Sequence, residues 1–157
     1  MNWEQACAHP SLKDMPFKIE LDEYGKIIMN AVRVSHALYQ GEIEFLLRSL
    51  LKKGKTFPEC AIKTRKGTKV ADVAWASPET VFRIKYEIQC SVAPEICVEV
   101  LSLTNTHEEM EEKKALYFES GAKEVWLCED GRMFFCNRNG MLKKSVMVPD
   151  FPDMVEI

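Results

Sequence analysis

The chain has 157 residues, 46% of them hydrophobic and 29% charged, with a formal net charge of −3. That length builds one domain with a core of its own, and the composition excludes a disordered polymer. It also excludes a bulk electrostatic pull toward nucleic acid, so contact with a phosphate backbone needs a local basic patch or bound metal ions.

No apolar run approaches the length that spans a bilayer, and residues 1–10 lack the cationic-then-apolar order of a signal peptide. The expectation is a cytoplasmic protein without a membrane partner. Cys7, Cys60, Cys90, Cys97, Cys128 and Cys136 form no C-x-x-C pair, and several fall inside apolar runs. Reduced cysteines acting as small buried hydrophobes fit this spacing better than a zinc site or a disulfide framework.

In chain order, residues 2–8 read as a short helical turn ended by His9-Pro10-Ser11. Residues 17–21 and 26–30 flank Asp22-Glu23-Tyr24-Gly25 and predict a hairpin, with Ile19 and Leu21 on one face and Lys18 and Glu20 on the other. Residues 35–52 predict a helix capped by Ser35, whose stripe is Tyr39, Ile43, Leu46, Leu47, Leu50 and Leu51. His36 and Gln40 fall inside that stripe, one turn apart. A single polar residue there is more often a hydrogen-bonded core residue, whereas two make a site-lining role more credible.

Residues 57–63 and 70–75 predict strands joined by a basic, glycine-containing turn, and the second strand carries Asp72 among apolar neighbours. A short helix over 78–85 and a connection over 86–93 follow. Residues 93–103 then form a nearly continuous apolar run rich in β-branched residues, the pattern of a central strand covered on both faces. Glu99 lies in its middle, on the face of Cys97 and Leu101. A carboxylate removed from water costs several kcal/mol unless a cation or several donors compensate.

Residues 105–120 predict a helix opened by a Thr106/Glu109 capping box and closed by Gly121. Its buried arc holds Met110, Leu116, Tyr117 and Phe118, and Lys113 and Lys114 lie within the same arc. Snorkelling stems explain such lysines as readily as a site does. A hairpin over 124–128 and 133–137 turns at Asp130-Gly131, and a last strand is expected over 142–148.

Asp72 and Glu99 thus stand mid-strand in segments that should be neighbours, with a lysine on the next helix in reach. Two close carboxylates repel, and a divalent cation removes the conflict. Oxygen ligands without a histidine–cysteine cluster favour Mg²⁺ or Mn²⁺ over zinc. Metal plus lysine suits attack of water on a phosphodiester.

The runs Asp72-Val73-Ala74-Trp75, Pro94-Glu95-Ile96-Cys97-Val98-Glu99-Val100-Leu101-Ser102, Glu112-Lys113-Lys114-Ala115-Leu116-Tyr117 and Gly121-Ala122-Lys123-Glu124-Val125-Trp126 together resemble the Uma-type endonuclease family of the restriction-endonuclease-like PD-(D/E)XK superfamily. The likeness extends upstream to residues 17–20, Gly25 and His36. It implies a single α/β domain over residues 1–157, with a central mixed β-sheet flanked by α-helices, an N-terminal β-hairpin and C-terminal strands. It further implies Mg²⁺-dependent cleavage of DNA, with a homodimer cutting both strands. Asp72 and Glu99 match the metal-ligating acids, and the Val100 carbonyl joins them as a ligand. The superfamily lysine normally stands two residues after the second acid, which here is Leu101; the resemblance moves it onto the following helix, at Lys113. Glu20 and His36 match further family positions, and Gln40 is placed beside them. Leu103-Thr104-Asn105 departs from the usual proline-containing turn. The competing reading is a non-catalytic nucleic-acid- or protein-binding module that keeps the nuclease fold. A third reading has both acids tied structurally to arginines or lysines.

Overall fold

A computed structural model describes all residues, Met1–Ile157. Asn2 caps the first helix, α1 (Trp3–Ala8), and a single 3-10 turn over Pro10–Leu12 leads into β1 (Phe17–Leu21) and β2 (Ile27–Ala31). These two strands pair antiparallel as a small sheet of their own. Their turn holds because the Asp22 carboxylate accepts from Tyr24 N at 2.9 Å and Lys26 N at 2.8 Å, while Gly25 takes the left-handed φ of 74°.

The main sheet has six strands in the order β3-β4-β5-β6-β7-β8. β3 (Lys55–Thr64), β4 (Gly67–Ala76) and β5 (Ile96–Val100) run antiparallel to one another. β5 pairs parallel with β6 (Glu124–Glu129), as a crossover through a helix requires. β7 (Arg132–Asn137) and β8 (Gly140–Leu142) complete it antiparallel.

Strand alternation divides the core between the two faces. On one, Val73, Trp75, Ile96, Val98 and Val100 meet Ile43 and Leu47 of α2 (Val34–Leu50), together with Trp126, Phe135 and Phe151. On the other, Ala74, Ala76, Cys97 and Val125 meet Ile84 of α3 (Pro78–Ile84) and Tyr117 of α4 (His107–Glu119). The mixed sheet, its helical layers and the N-terminal hairpin are those expected from the sequence.

Three local expectations are corrected, and the choice between Lys113 and Lys114 is decided. α2 starts at Val34 with Arg33 at its N-cap and no side-chain cap, so Ser35 already lies inside the first turn. Leu50 is 37% exposed and leaves the buried stripe, which narrows to Ile43 and Leu47 with Tyr39, Leu46 and Leu51 at its margins. Lys114 turns out of the site-facing part of α4 toward Glu111. The last strand ends at Leu142, because the next residues wrap around the buried Glu124 carboxylate instead of continuing the ladder. Ser145 Oγ donates to it at 2.6 Å, Val146 N at 2.8 Å, Met147 N at 3.0 Å and Trp126 Nε1 at 2.7 Å. Four donors satisfy a carboxylate that would otherwise be costly to bury. The Thr106/Glu109 capping box forms in both directions, and all six cysteines are free thiols, five of them buried.

Candidate active site

The β4–β5 ladder pairs Val73 with Val98 and Ala74 with Cys97. One step further along the same register, Asp72 and Glu99 come face to face where regular pairing stops. On the other side of Asp72 the β3–β4 ladder skips Glu59, whose φ is 53°. Asp72 thus sits at a local break in the sheet, and its Oδ2 takes over the role of a backbone acceptor, receiving Val100 N at 2.7 Å.

Around this pair the fold assembles charged and polar groups from three further elements, β1, α2 and α4. His36 of α2 places Nε2 3.2 Å from Asp72 Oδ2. Lys113 of α4 bridges Glu20 Oε1 at 2.7 Å and Glu99 Oε1 at 3.0 Å, and Glu20 also accepts Val70 N at 2.7 Å, which fixes β1 against β4. Tyr117, one turn after Lys113 on α4, donates its hydroxyl to Glu99 Oε1 at 2.6 Å. Lys18 of β1 bridges Asp72 Oδ1 at 2.9 Å and Glu99 Oε2 at 3.4 Å.

The electrostatics follow from this pairing. Burial alone would raise the proton affinity of Asp72, but the Lys18 charge and the His36 hydrogen bond hold its carboxyl well below the usual range. Burial acts on Glu20 in the same way, and Lys113 and Lys18 again override it. Glu99 is pushed up by burial in spite of Lys113 and Lys18. The hydrogen bond to Asp72 lifts His36 above its ordinary value against partial burial. Burial would lower Lys18, but Glu99 and Asp72 keep its ammonium firmly charged. Burial, with the charge of Glu99 beside it, pushes the Tyr117 phenol far up, so it stays a donor.

A cavity of about 40 Å³ opens beside these groups, lined among others by Lys18, His36, Asp72, Glu99, Asn105 and Lys113. A cleft of about 320 Å³ between the β1–β2 hairpin and α4 adjoins it, sharing Asn30, Asn105 and Lys113.

Of the residues singled out from the sequence, Asp72, Glu99, Val100, Lys113, Glu20 and His36 are brought together. Gln40 is not. Its amide donates to Glu59 Oε1 at 2.8 Å, so it braces the distorted stretch of β3 from outside the cavity. Lys114 pairs instead with Glu111 at 2.8 Å and lies 3.8 Å from Cys136 Sγ. Sequence reasoning passed over Lys18 and the hydroxyl of Tyr117. The signal for Lys18 was present, since it shares a strand face with Glu20 two residues on.

A family model described as "Putative restriction endonuclease", Uma2, matches residues 3–155. The chain belongs to the Uma2 family. No curated protein sequence matches it. Among solved structures it is similar to "a putative nuclease belonging to DUF820" from Anabaena variabilis, with a TM-score of 0.70 and 18% identity, covering 87% of this chain and 79% of that one. At that identity the likeness is one of fold. The family supports a nuclease.

Enzymes of restriction-endonuclease-like folds generally use divalent metal ions, and the donor set of this Uma2 chain can be tested for that use. No three side chains of His, Cys, Asp or Glu converge on one point. Asp72 Oδ1 and Glu99 Oε2 do converge, on a single ammonium nitrogen that stands in for a cation. Two hard carboxylate oxygens, beside a cavity that Val100 also lines and that has room for about one water, fit an ion that keeps part of its hydration shell, as Mg²⁺ does.

Proposed function

We propose that this chain is a metal-dependent endonuclease that hydrolyses phosphodiester bonds of DNA, with Asp72, Glu99 and the Val100 carbonyl holding Mg²⁺ or Mn²⁺. The observation that carries the reading is the meeting of Asp72 Oδ1 and Glu99 Oε2 at one cation position, beside an open cavity. A bound divalent ion supplies Lewis acidity, lowering the pKa of a coordinated water and neutralising charge that develops on the phosphate.

The protein's own groups do the rest. Tyr117 and Lys113 hold Glu99 Oε1, while Val100 N and His36 hold Asp72 Oδ2, so one oxygen of each acid is fixed and the other is presented. The Lys113 ammonium borders the cavity, where it orients the attacking water and attracts the phosphoryl oxygens. Glu20 positions Lys113 from behind through their ion pair. His36, hydrogen-bonded to Asp72, lines the same space.

DNA is the proposed substrate, a cytoplasmic location the proposed setting, and a homodimer, placing one site on each strand, the proposed assembly. No helix is long and apolar enough to cross a membrane. A second reading, a non-catalytic module with the same fold, is favoured by Lys18, which pairs with both acids internally. The open cleft beside the cluster favours catalysis over a purely structural ion-pair network.

The test is incubation of purified protein with supercoiled plasmid and with single-stranded RNA, with Mg²⁺ or Mn²⁺ and with a chelator. Metal-dependent conversion of the plasmid to open-circular and linear forms is expected. An intact plasmid under every metal condition would favour the binding module.

A further inference from the structure

Each carboxylate of the central pair has one oxygen held by groups that belong to the packed frame. Asp72 Oδ2 meets Val100 N and His36, and Glu99 Oε1 meets Tyr117 and Lys113. The other two oxygens, Asp72 Oδ1 and Glu99 Oε2, share a single partner, the ammonium of Lys18. These are also the two oxygens that a shared cation must use.

We propose that Lys18 is a resident cation competing with the divalent metal for Asp72 and Glu99, so that metal loading displaces its ammonium and the lysine sets the metal affinity of the site. The proposal rests on the metal-dependent reading above and adds a control to it.

The two site lysines are not equivalent. Lys113 grips Glu99 on the oxygen already fixed by Tyr117 and is tied to Glu20, so its pairing is compatible with an ion on the opposite oxygen. Lys18 occupies the ion's own position. It stands near the start of β1, in the two-stranded sheet rather than the six-stranded one, and the preceding Phe17 is 39% exposed. A lysine head on a flexible four-carbon stem can withdraw without moving its strand. Two buried carboxylates repel strongly when no cation lies between them. Lys18 therefore keeps the metal-free site stable, and a divalent ion binds only by replacing interactions that already exist.

The experiment is calorimetric titration of MnCl₂ into the wild-type protein, Lys18→Met and the double variant Lys18→Met/Asp72→Asn, with thermal melts at matched Mn²⁺ concentrations. Lys18→Met should bind Mn²⁺ about tenfold tighter or more, the ratio expected when charge-assisted hydrogen bonds no longer need to be broken. The double variant should lose that gain. In melts, Lys18→Met should start less stable than wild type and recover more of its stability as Mn²⁺ is added. If Lys18→Met folds only with metal, rescue by Mn²⁺ but not by an equal ionic strength of KCl supports the proposal, and failure of rescue overturns it.

Equal or weaker Mn²⁺ binding by Lys18→Met also overturns it. Plasmid cleavage by the wild type separates the two readings. Cleavage together with unchanged affinity in Lys18→Met removes the role of Lys18 and leaves the nuclease standing. Tight binding by Lys18→Met without any cleavage upholds the competition and removes the nuclease.

Discussion

Replacing Lys113 by Met distinguishes a site lysine from a snorkelling one. Its ammonium pairs with Glu20 at 2.7 Å and Glu99 at 3.0 Å, and the side chains of those acids are only 6% and 4% exposed. Taking away one partner of a buried ion pair costs about 3–5 kcal/mol, because the remaining charge stays out of water. Val70 N on Glu20 and Tyr117 on Glu99 remain as donors, which places the loss toward the lower end of that range. At about 2–4 °C per kcal/mol for a domain of this size, a loss near 3 kcal/mol lowers the melting temperature by about 6–12 °C. Metal-dependent cleavage should fall about a hundredfold or more if the ammonium acts on the reacting phosphate. The matched control is Lys114→Met, whose partner Glu111 is 49% exposed, so the stability change stays within about 1 kcal/mol and cleavage is unchanged. Urea denaturation followed by circular dichroism, with plasmid nicking on the same preparations, reads both effects. Adding Glu20→Gln to Lys113→Met should restore part of the lost stability but none of the activity. A Lys113→Met protein as stable and active as wild type, or the larger loss in Lys114→Met, would refute the assignment of the two lysines.

Tyr117→Phe removes the 2.6 Å hydrogen bond to Glu99 and should cost about 1–3 kcal/mol in urea denaturation, the value of a hydrogen bond to a charged group; an unchanged midpoint would contradict that bond. Gln40→Ala should leave cleavage unchanged and shift stability by no more than about 1 kcal/mol, since its exposed partner Glu59 lies outside the cavity; lost cleavage would return Gln40 to the site. Iodoacetamide at pH 8 should label the exposed Cys7 of the native protein first and spare the buried Cys97 and Cys128. Burial pushes Cys128 up to about 11 and holds Cys97 well above the ordinary thiol range, so mass spectrometry should find neither labelled before denaturation and all six cysteines labelled after. Rapid native labelling of Cys97 or Cys128 would contradict the packing.

The two acids could be read because strand alternation is strict. An ionisable residue in the middle of a strand that is apolar on both faces needs compensation, so Asp72 and Glu99 announce a partner before any partner is known. The capping box at Thr106 and Glu109 and the Asp22–Gly25 turn were equally legible, being set by residues within three or four positions. The identity of the partners was not. Lys113 and Lys114 lie about 100° apart on one helix, within a single broad arc, and only the placement of Glu20 and Glu99 beside Lys113 separates them. Lys18 is further still from local rules, because its position depends on how the two-stranded sheet docks on β4 through Glu20 and Val70. The expected last strand failed for a related reason. Glu124 lies in a strand whose pattern gives no hint that its carboxylate draws Ser145, Val146 and Met147 out of line. The unpaired Asp72 position shows a side chain displacing a backbone partner in the same way.

Nicking of supercoiled plasmid by Asp72→Asn in the presence of Mn²⁺, beside wild type at equal concentration and with circular dichroism spectra matched, reads the proposed metal pair most directly. The account predicts a wild-type protein that nicks and a folded variant reduced to the level of the chelator control. A folded Asp72→Asn protein cutting at the wild-type rate would contradict it.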